Sequence, residues 1–251
     1  MILYFSGTGN SRYLSEVLNS EIKDEIISIN DCLKAKKSYT FTSKKPYVII
    51  CPTYAWQIPR VVENFIRQTN FKGNKKIYFI LTCGGGIGNA KRYVKKLVQK
   101  KNLEFMGIKA VIMPENFITM FKAPEPGEAK KIIARAIEPT LQLGKIIKKE
   151  KKFENDKYHF GDIISSSLIN KLFYTIFVKA DGFYVNENCT GCGNCKKICP
   201  LNNIEISEEK PKWSNHCTQC MACIGSCPMQ AIEYKNKTQN KVRYYLNEHY
   251  E

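Results

Sequence analysis

The chain has 251 residues, enough for one doubly wound domain and a smaller one, and its 43% hydrophobic share is that of a globular protein. Its formal charge is +16, and the excess is lopsided: residues 181–251 hold 8 basic and 8 acidic side chains, so all of it falls on residues 1–180. No apolar run is long enough for a bilayer span, since Ile163 to Val178 is broken by Ser165, Ser166, Ser167, Asn170 and Lys171, and Met1 leads into a strand-like run rather than a secretion signal; a cytoplasmic protein without a membrane span is expected.

Met1 to Phe5 is a short apolar run of strand type. Ser6, Gly7, Thr8, Gly9, Asn10 and Ser11 follow, then a helical pattern with Leu14, Val17 and Leu18. A strand feeding a loop of glycines and hydroxyls at a helix start makes an anion site. Glycine lets the backbone approach, and hydroxyls and N–H groups bind the oxygens. The G-K-[ST] of a Walker loop is missing, and Gly7-x-Gly9 is followed by Asn-Ser-Arg rather than the x-x-Gly of a dinucleotide fingerprint. The loop resembles instead the [ST]-x-T-G-x-[ST] phosphate loop of flavodoxins, which holds the terminal phosphate of FMN.

Glu25 to Ile29 reads as a second strand, while residues 30–46 are polar, Lys-rich and carry no assignable element. Tyr47 to Cys51 is a buried strand, ended by Pro52, Thr53, Tyr54, Ala55, Trp56, Gln57, Ile58 and Pro59. Val61, Val62, Phe65 and Ile66 then mark a helix. In the strand order 2-1-3-4-5 this loop falls at the switch point, where Trp56 or Tyr54 can stack on a flavin ring. Lys76 to Thr82 is the fourth strand. Thr82, Cys83, Gly84, Gly85, Gly86, Gly88 and Asn89 follow where flavodoxins have their second ring-binding loop, and glycines there let backbone N–H groups approach the ring. The loop carries no aromatic residue, so one ring face is expected to stay open. A basic helix runs through Val94, Leu97 and Val98, and Ile108 to Pro114 is the fifth strand. Residues 125–150 read as a long helix that Pro139 should break or kink. Residues 156–179 read as a helical linker whose apolar face (Ile163, Leu168, Leu172, Phe173, Ile176, Phe177) should dock a C-terminal domain onto the first.

Cys189, Cys192, Cys195, Cys199 and Pro200 form the pattern C-x2-C-x2-C-x3-C-P, and Cys217, Cys220, Cys223, Cys227 and Pro228 repeat it. This is the spacing in which three close cysteines hold one [4Fe–4S] cluster and the fourth ligates the other. By that rule Cys189, Cys192, Cys195 and Cys227 hold one cluster, and Cys217, Cys220, Cys223 and Cys199 the second. Zinc sites do not call for two sets of four with a trailing proline, and a disulfide framework belongs to secreted chains. Of the 11 cysteines, Cys32, Cys51 and Cys83 are left over and read as apolar filler. The tail after Tyr234 is charged, but Tyr244, Tyr245 and Leu246 are expected to pack back.

With these loops and the double cysteine motif, together with Phe183 to Val185 and Lys210 to Trp213 before the two runs, nearly the whole chain resembles the flavodoxin–ferredoxin fusion proteins of anaerobic prokaryotes. The fold expected is α/β. Residues 1–150 are a flavodoxin-like, doubly wound, five-stranded parallel sheet binding FMN. Residues 151–180 are a helical linker, and residues 181–251 a bacterial-type two-cluster ferredoxin domain of α+β type. The resemblance implies FMN, two [4Fe–4S] clusters and electron transfer among them. Redox proteins are the expected partners: a ferredoxin, a flavodoxin or an oxidoreductase, acidic if the basic face is used. No catalytic acid stands out, but a reductase acting on a small molecule at the open flavin face is the competing reading. Nucleic acid is not an expected partner, since the basic residues are scattered over predicted helices and no reader motif is present.

Overall fold

In the computed structural model the described residues are 1–154 and 169–247. Five strands form the main sheet: β1 (Ile2–Tyr4), β2 (Ile26–Ser28), β4 (Tyr47–Pro52), β6 (Lys76–Cys83) and β7 (Glu104–Ile112). Their order is β2-β1-β4-β6-β7, and every pairing is parallel. Parallel strands are covered on both faces, so they read as continuous apolar runs whose side chains alternate between two cores. On β4, Val48 and Ile50 join the core beneath α1 (Asn10–Ile22) and α5 (Pro126–Lys148). Tyr47, Ile49 and Cys51 join the opposite core with Val62, Phe65 and Ile66 of α3 (Arg60–Gln68) and Val94, Leu97 and Val98 of α4 (Ala90–Lys100). The sheet is therefore doubly wound, as the apolar runs require.

Several elements depart from the sequence reading. Residues 30–46 contain most of α2 (Ile29–Ala35) and a short strand, β3 (Thr40–Ser43), which pairs in parallel with β5 (Asn70–Gly73) in a separate two-stranded sheet. Only Phe41 and Phe71 bury large side chains there, so the pattern is too sparse to read; the Tyr47 hydroxyl ties the pair by lying 2.9 Å from the Phe41 carbonyl and 2.6 Å from that of Lys72. The fifth main strand starts at Glu104 rather than Ile108, because a register shift opposite Ile77 and Tyr78 interrupts its alternation. Pro139 lies inside α5 and does not end it. Its side chain is exposed, so the Arg135 carbonyl that loses its amide partner is on the solvent side, where water can replace it.

The C-terminal residues form two small antiparallel pairs. β8 (Phe183–Val185) pairs with β11 (Ile232–Tyr234), and β9 (Ile204–Ser207) with β10 (Lys210–Trp213). Two short helices, α7 (Asn194–Ile198) and α8 (Ala222–Gly225), carry the middle of each cysteine run. The unit sits on the end of the main sheet that bears the β1–α1 loop. A β-carbon built on Gly7 would lie 1.9 Å from the Cys220 carbonyl oxygen, so a side chain at position 7 has no room. The tail packs back as expected: Tyr244 and Leu246 are buried, the Leu246 amide donates to the Thr8 carbonyl at 2.8 Å, and Arg12 donates to the Leu246 carbonyl at 3.1 Å. A buried Arg243–Glu233 pair at 2.7 Å fixes the base of that tail. No described helix is long and apolar enough to cross a membrane.

Candidate functional site

A cavity of about 590 Å³ opens at the carboxyl ends of the main strands. Eleven of the residues expected to bind the flavin line it: Asn10 of the phosphate loop, and Pro52, Thr53, Tyr54, Ala55, Trp56, Thr82, Cys83, Gly84, Gly85 and Gly86 of the ring loops. The first wall is a reverse turn. Tyr54 and Gln57 exchange backbone hydrogen bonds of 2.8 and 3.1 Å, and Ala55 and Trp56 between them have φ of 43° and 62°. Two successive left-handed residues make a turn that normally takes Asn-Gly, so the backbone here is strained by about 1–3 kcal/mol per residue. The strain is held from outside: Asn170, at the start of α6 (Asn170–Ile176), is buried, and its side-chain amide lies 3.0 Å from both the Tyr54 and Ala55 carbonyls. Tyr174 of the same helix accepts the Arg60 amide at 2.9 Å and stacks under its guanidinium. Burial raises the Tyr54 hydroxyl well above its ordinary pKa, and the nearby Cys220 thiol adds to the rise.

The second wall follows β6. Ser11 and Thr82 hydroxyls share a hydrogen bond of 3.0 Å, fixing the β1–α1 loop to this strand end. A β-carbon at Gly84 would meet the Glu115 carboxylate, the far end of a flexible side chain, at 2.6 Å, while Gly85 and Gly86 face open room. Glu115 in turn accepts the amides of Asn116 and Phe117 at 2.9 and 2.8 Å. Cys83 faces the cavity, unlike the buried Cys32 and Cys51, yet burial pushes its thiol up to about 11, so it stays protonated near neutral pH. Gly88 and Asn89 belong to the approach to α4 and do not line the cavity.

The third wall escaped the sequence reading. It comes from the segment after β7 (Phe117, Met120, Phe121) and from Ile169, Leu172, Phe173, Ile176 and Phe177, with Gln219 of the C-terminal unit. Leu172 and Ile176 were expected to bury against that unit; they are 47% and 54% exposed and face the cavity instead. Asn170 and Tyr174 on the same helix bond the 54–60 segment, and that sets which face looks inward. Ile163 and Leu168 of the expected linker lie outside the described residues.

Of the β1–α1 loop, only Asn10 reaches this cavity; Ser6, Thr8 and Ser11 are buried, and Gly7 and Gly9 meet the C-terminal unit and tail. Ser6 Oγ accepts the Gly9 amide at 3.1 Å, and Thr8 Oγ1 accepts from Asn116 Nδ2 at 2.6 Å. Asn10 accepts from the Tyr244 hydroxyl at 2.6 Å and donates to the Pro114 carbonyl at 2.9 Å. The amides of Gly7, Thr8, Asn10 and Ser11 have no partner among the described residues. They sit at the positive end of a helix of 13 residues.

The structure gathers the eight cysteines at two cavities. Cys189, Cys192, Cys195 and Cys227 line one small cavity, and Cys199, Cys217, Cys220 and Cys223 line another. Cys192 is exposed, whereas the second set lies deeper. Burial pushes the Cys217 thiol up to about 11 and those of Cys220 and Cys223 further, so a metal centre there must displace protons. Backbone amides point at three of the sulfurs: Asn203 at Cys199 (3.3 Å), Gln219 at Cys217 (3.2 Å) and Ala231 at Cys227 (3.4 Å). Such N–H···S bonds stabilise negative charge on the sulfur.

Residues 1–116 match the family described as "Flavodoxin domain", and residues 188–232 match "4Fe-4S dicluster domain". Among solved structures, the chain is similar to the general stress protein 14 of Treponema denticola in complex with FMN: 8% identity, 58% of this chain and 98% of that one, TM-score 0.39. It is similar also to the two-electron reduced flavodoxin of Megasphaera elsdenii, at 16% identity over 45% of this chain and 85% of that one, with a TM-score of 0.32. Likenesses this distant add nothing to what the sheet order and the family matches establish. No protein of curated function matches the chain.

Proposed function

A flavodoxin domain joined to a 4Fe–4S dicluster domain is a flavodoxin–ferredoxin fusion, and from that premise we propose that this chain moves electrons between two [4Fe–4S] clusters and one FMN, and exchanges them with partner redox proteins. The flavin ring would lie in the cavity between the Tyr54–Trp56 turn and the Cys83–Gly86 loop. Its phosphate would take the unpartnered amides of Gly7, Thr8, Asn10 and Ser11 at the start of α1. The clusters would take Cys189, Cys192, Cys195 with Cys227, and Cys217, Cys220, Cys223 with Cys199.

One observation carries the reading. Among the described residues, the buried side-chain atoms without a close hydrogen-bond partner are Thr53 Oγ1, Thr218 Oγ1, Trp213 Nε1, which faces the Cys223 sulfur, and Arg243 Nη1 away from the cavities. Thr53 lines the large cavity, and Trp213 and Thr218 line the cavity of the second cysteine set. Buried polar groups are normally satisfied, so unpaired donors that collect at cavities mark places where a ligand supplies the partner. The cysteine sets also fit a cluster better than a single ion. Four thiols surround a space in each set, as a cubane requires.

When bound, FMN accepts one or two electrons and each cluster one, which lets the protein join one-electron carriers to two-electron chemistry. The chain's own part is to hold the two kinds of site together. Gly7 and Cys220 meet at the interface, amides aimed at the sulfurs favour the charged thiolates, and Gln219 belongs to both cavities. The partner would be a soluble redox protein in an oxygen-poor cytoplasm. The test is protein purified without oxygen, assayed for iron, sulfide and flavin and titrated with reductant. About eight irons and one flavin per chain are expected, with the flavin band bleaching as electrons arrive through the clusters. Four irons, or a flavin band indifferent to cluster reduction, contradicts the proposal.

A second reading is a reductase acting on a small molecule at the flavin. The observation favouring it is the concentration of exposed apolar side chains on one cavity wall, Met120, Phe121, Ile169, Leu172 and Ile176 among them. Turnover of candidate acceptors by prereduced protein separates it from a pure carrier.

A further inference from the structure

We infer that the two cysteine sets have different stations: the set Cys199, Cys217, Cys220 and Cys223 is the inner one, coupled to the flavin cleft, and the set Cys189, Cys192, Cys195 and Cys227 is the outer one, through which electrons pass to and from a carrier protein. This rests on the electron-transfer reading above, and it adds an order that the cysteine spacing alone does not contain, because the two runs are alike in sequence.

The order comes from contacts. Cys220 sits with its backbone against Gly7 of the β1–α1 loop, at a separation that admits no side chain. Its side chain packs against the sheet core of the first domain. Gln219, its neighbour, lines both the inner cysteine cavity and the flavin cleft. Both cysteine cavities are walled by residues of the C-terminal unit alone, but none of those around the outer set also lines the flavin cleft. Cys192 there is exposed, and Met229 on the same rim is 46% exposed. Electron transfer falls off steeply with separation. The inner set is therefore placed to serve the cleft, and the outer set to meet a centre outside the molecule. Cys189, Cys192, Cys195 and Cys227 would hold the centre that takes electrons singly from a reduced one-electron carrier protein, and Cys199, Cys217, Cys220 and Cys223 the one that would pass them on to the cleft; two electrons, with two protons from water, would be needed per flavin.

The test uses the holoprotein prepared without oxygen and poised so that part of the flavin holds a single electron while the clusters are reduced. A paramagnetic cluster close by speeds relaxation of the flavin radical, so its EPR signal resists power saturation. In the intact protein and in Cys192→Ala this effect is expected to persist; in Cys220→Ala it is expected to be lost. The reverse pattern, or an equal response of both variants, overturns the order. No effect in the intact protein overturns the electron-transfer reading beneath it instead. Should a variant fail to assemble, the intact holoprotein still decides. During slow oxidative cluster loss in the presence of a thiol-alkylating reagent, mass spectrometry should find Cys189, Cys192 and Cys195 labelled before Cys217, Cys220 and Cys223. Labelling of the inner set first overturns the order.

Discussion

The side-chain amide of Asn170 reaches the carbonyl of Tyr54 at 3.0 Å, joining residues 116 apart in the chain, and lies as close to that of Ala55. The turn it holds contains two left-handed residues that carry side chains, Ala55 and Trp56. A helix outside the flavodoxin match thus maintains a backbone shape that the turn's own sequence disfavours. Asn170→Ala should leave the fold intact but let the turn relax. Losing one or two such bonds is worth about 1–2 kcal/mol, or roughly tenfold in flavin affinity. Flavin fluorescence titration of the apoprotein measures it. Ala55→Gly in the Asn170→Ala background should recover part of the loss by removing strain; no recovery would show that Asn170 acts otherwise.

Gly7 and Gly127 form a matched pair for mutation. A methyl at Gly7 collides with the Cys220 carbonyl, whereas one at Gly127, in the first turn of α5 and away from the cavity, meets nothing within 4 Å. Gly7→Ala should push the iron–sulfur unit away from the β1–α1 loop. Slower flavin reduction in stopped flow is expected, with unchanged iron content, while Gly127→Ala behaves as the parent. Equal rates in all three would show that the interface does not set the transfer rate.

The tail offers a separate handle. Tyr244 bonds Asn10 at 2.6 Å and the Leu246 amide bonds Thr8 at 2.8 Å, so the tail roofs the loop assigned to the phosphate. Ending the chain after Arg243 keeps the buried Arg243–Glu233 pair but removes the roof. Flavin should then dissociate faster, read as the growth of free-flavin fluorescence after dilution. Tyr244→Phe should give a smaller change in the same direction. An unaltered dissociation rate in the truncated protein would assign the tail a packing role alone.

Alkali should act through tyrosines. Burial raises Tyr78 and Tyr174 from the ordinary value near 10 to about 12, and Tyr174 holds α6 to Arg60. The folded state therefore keeps these protons where the unfolded chain releases them. The stability they lend is complete below about pH 10 and is lost as pH rises toward 12. Denaturant midpoints measured from pH 9 to 12 should fall across that window, with phenolate absorbance rising late. Tyr174→Phe should flatten the decline; an unchanged slope would count against this assignment.

Much of this was written in local pattern. The main strands show because a parallel sheet buried on both faces needs unbroken apolar runs, as in Tyr47 to Cys51. The cysteine sets show because ligand spacing is a short-range property. What stayed hidden depends on contacts between distant segments. Asn170 looks like any linker asparagine until it meets Tyr54. Leu172 and Ile176 gave an apolar face, but sequence periodicity says that a face exists and not what it confronts. The β3–β5 pair went unseen because each strand buries a single large side chain. Pro139 does not break α5, since its ring sits on the side that meets water, a position visible only once α5 lies against α1.

The exchange of Cys199 and Cys227 between the two cavities has a result for assembly. Under the assignment made here, neither run owns a full set of four, so neither half of the unit can mature alone. Excising the second run would strip the outer set of its last thiolate, whereas a chain halted between Cys223 and Cys227 already holds all four cysteines of the inner set and only three of the outer. Maturation is thereby ordered along the chain: the buried centre can close first, and the one that meets a carrier waits for the final cysteine.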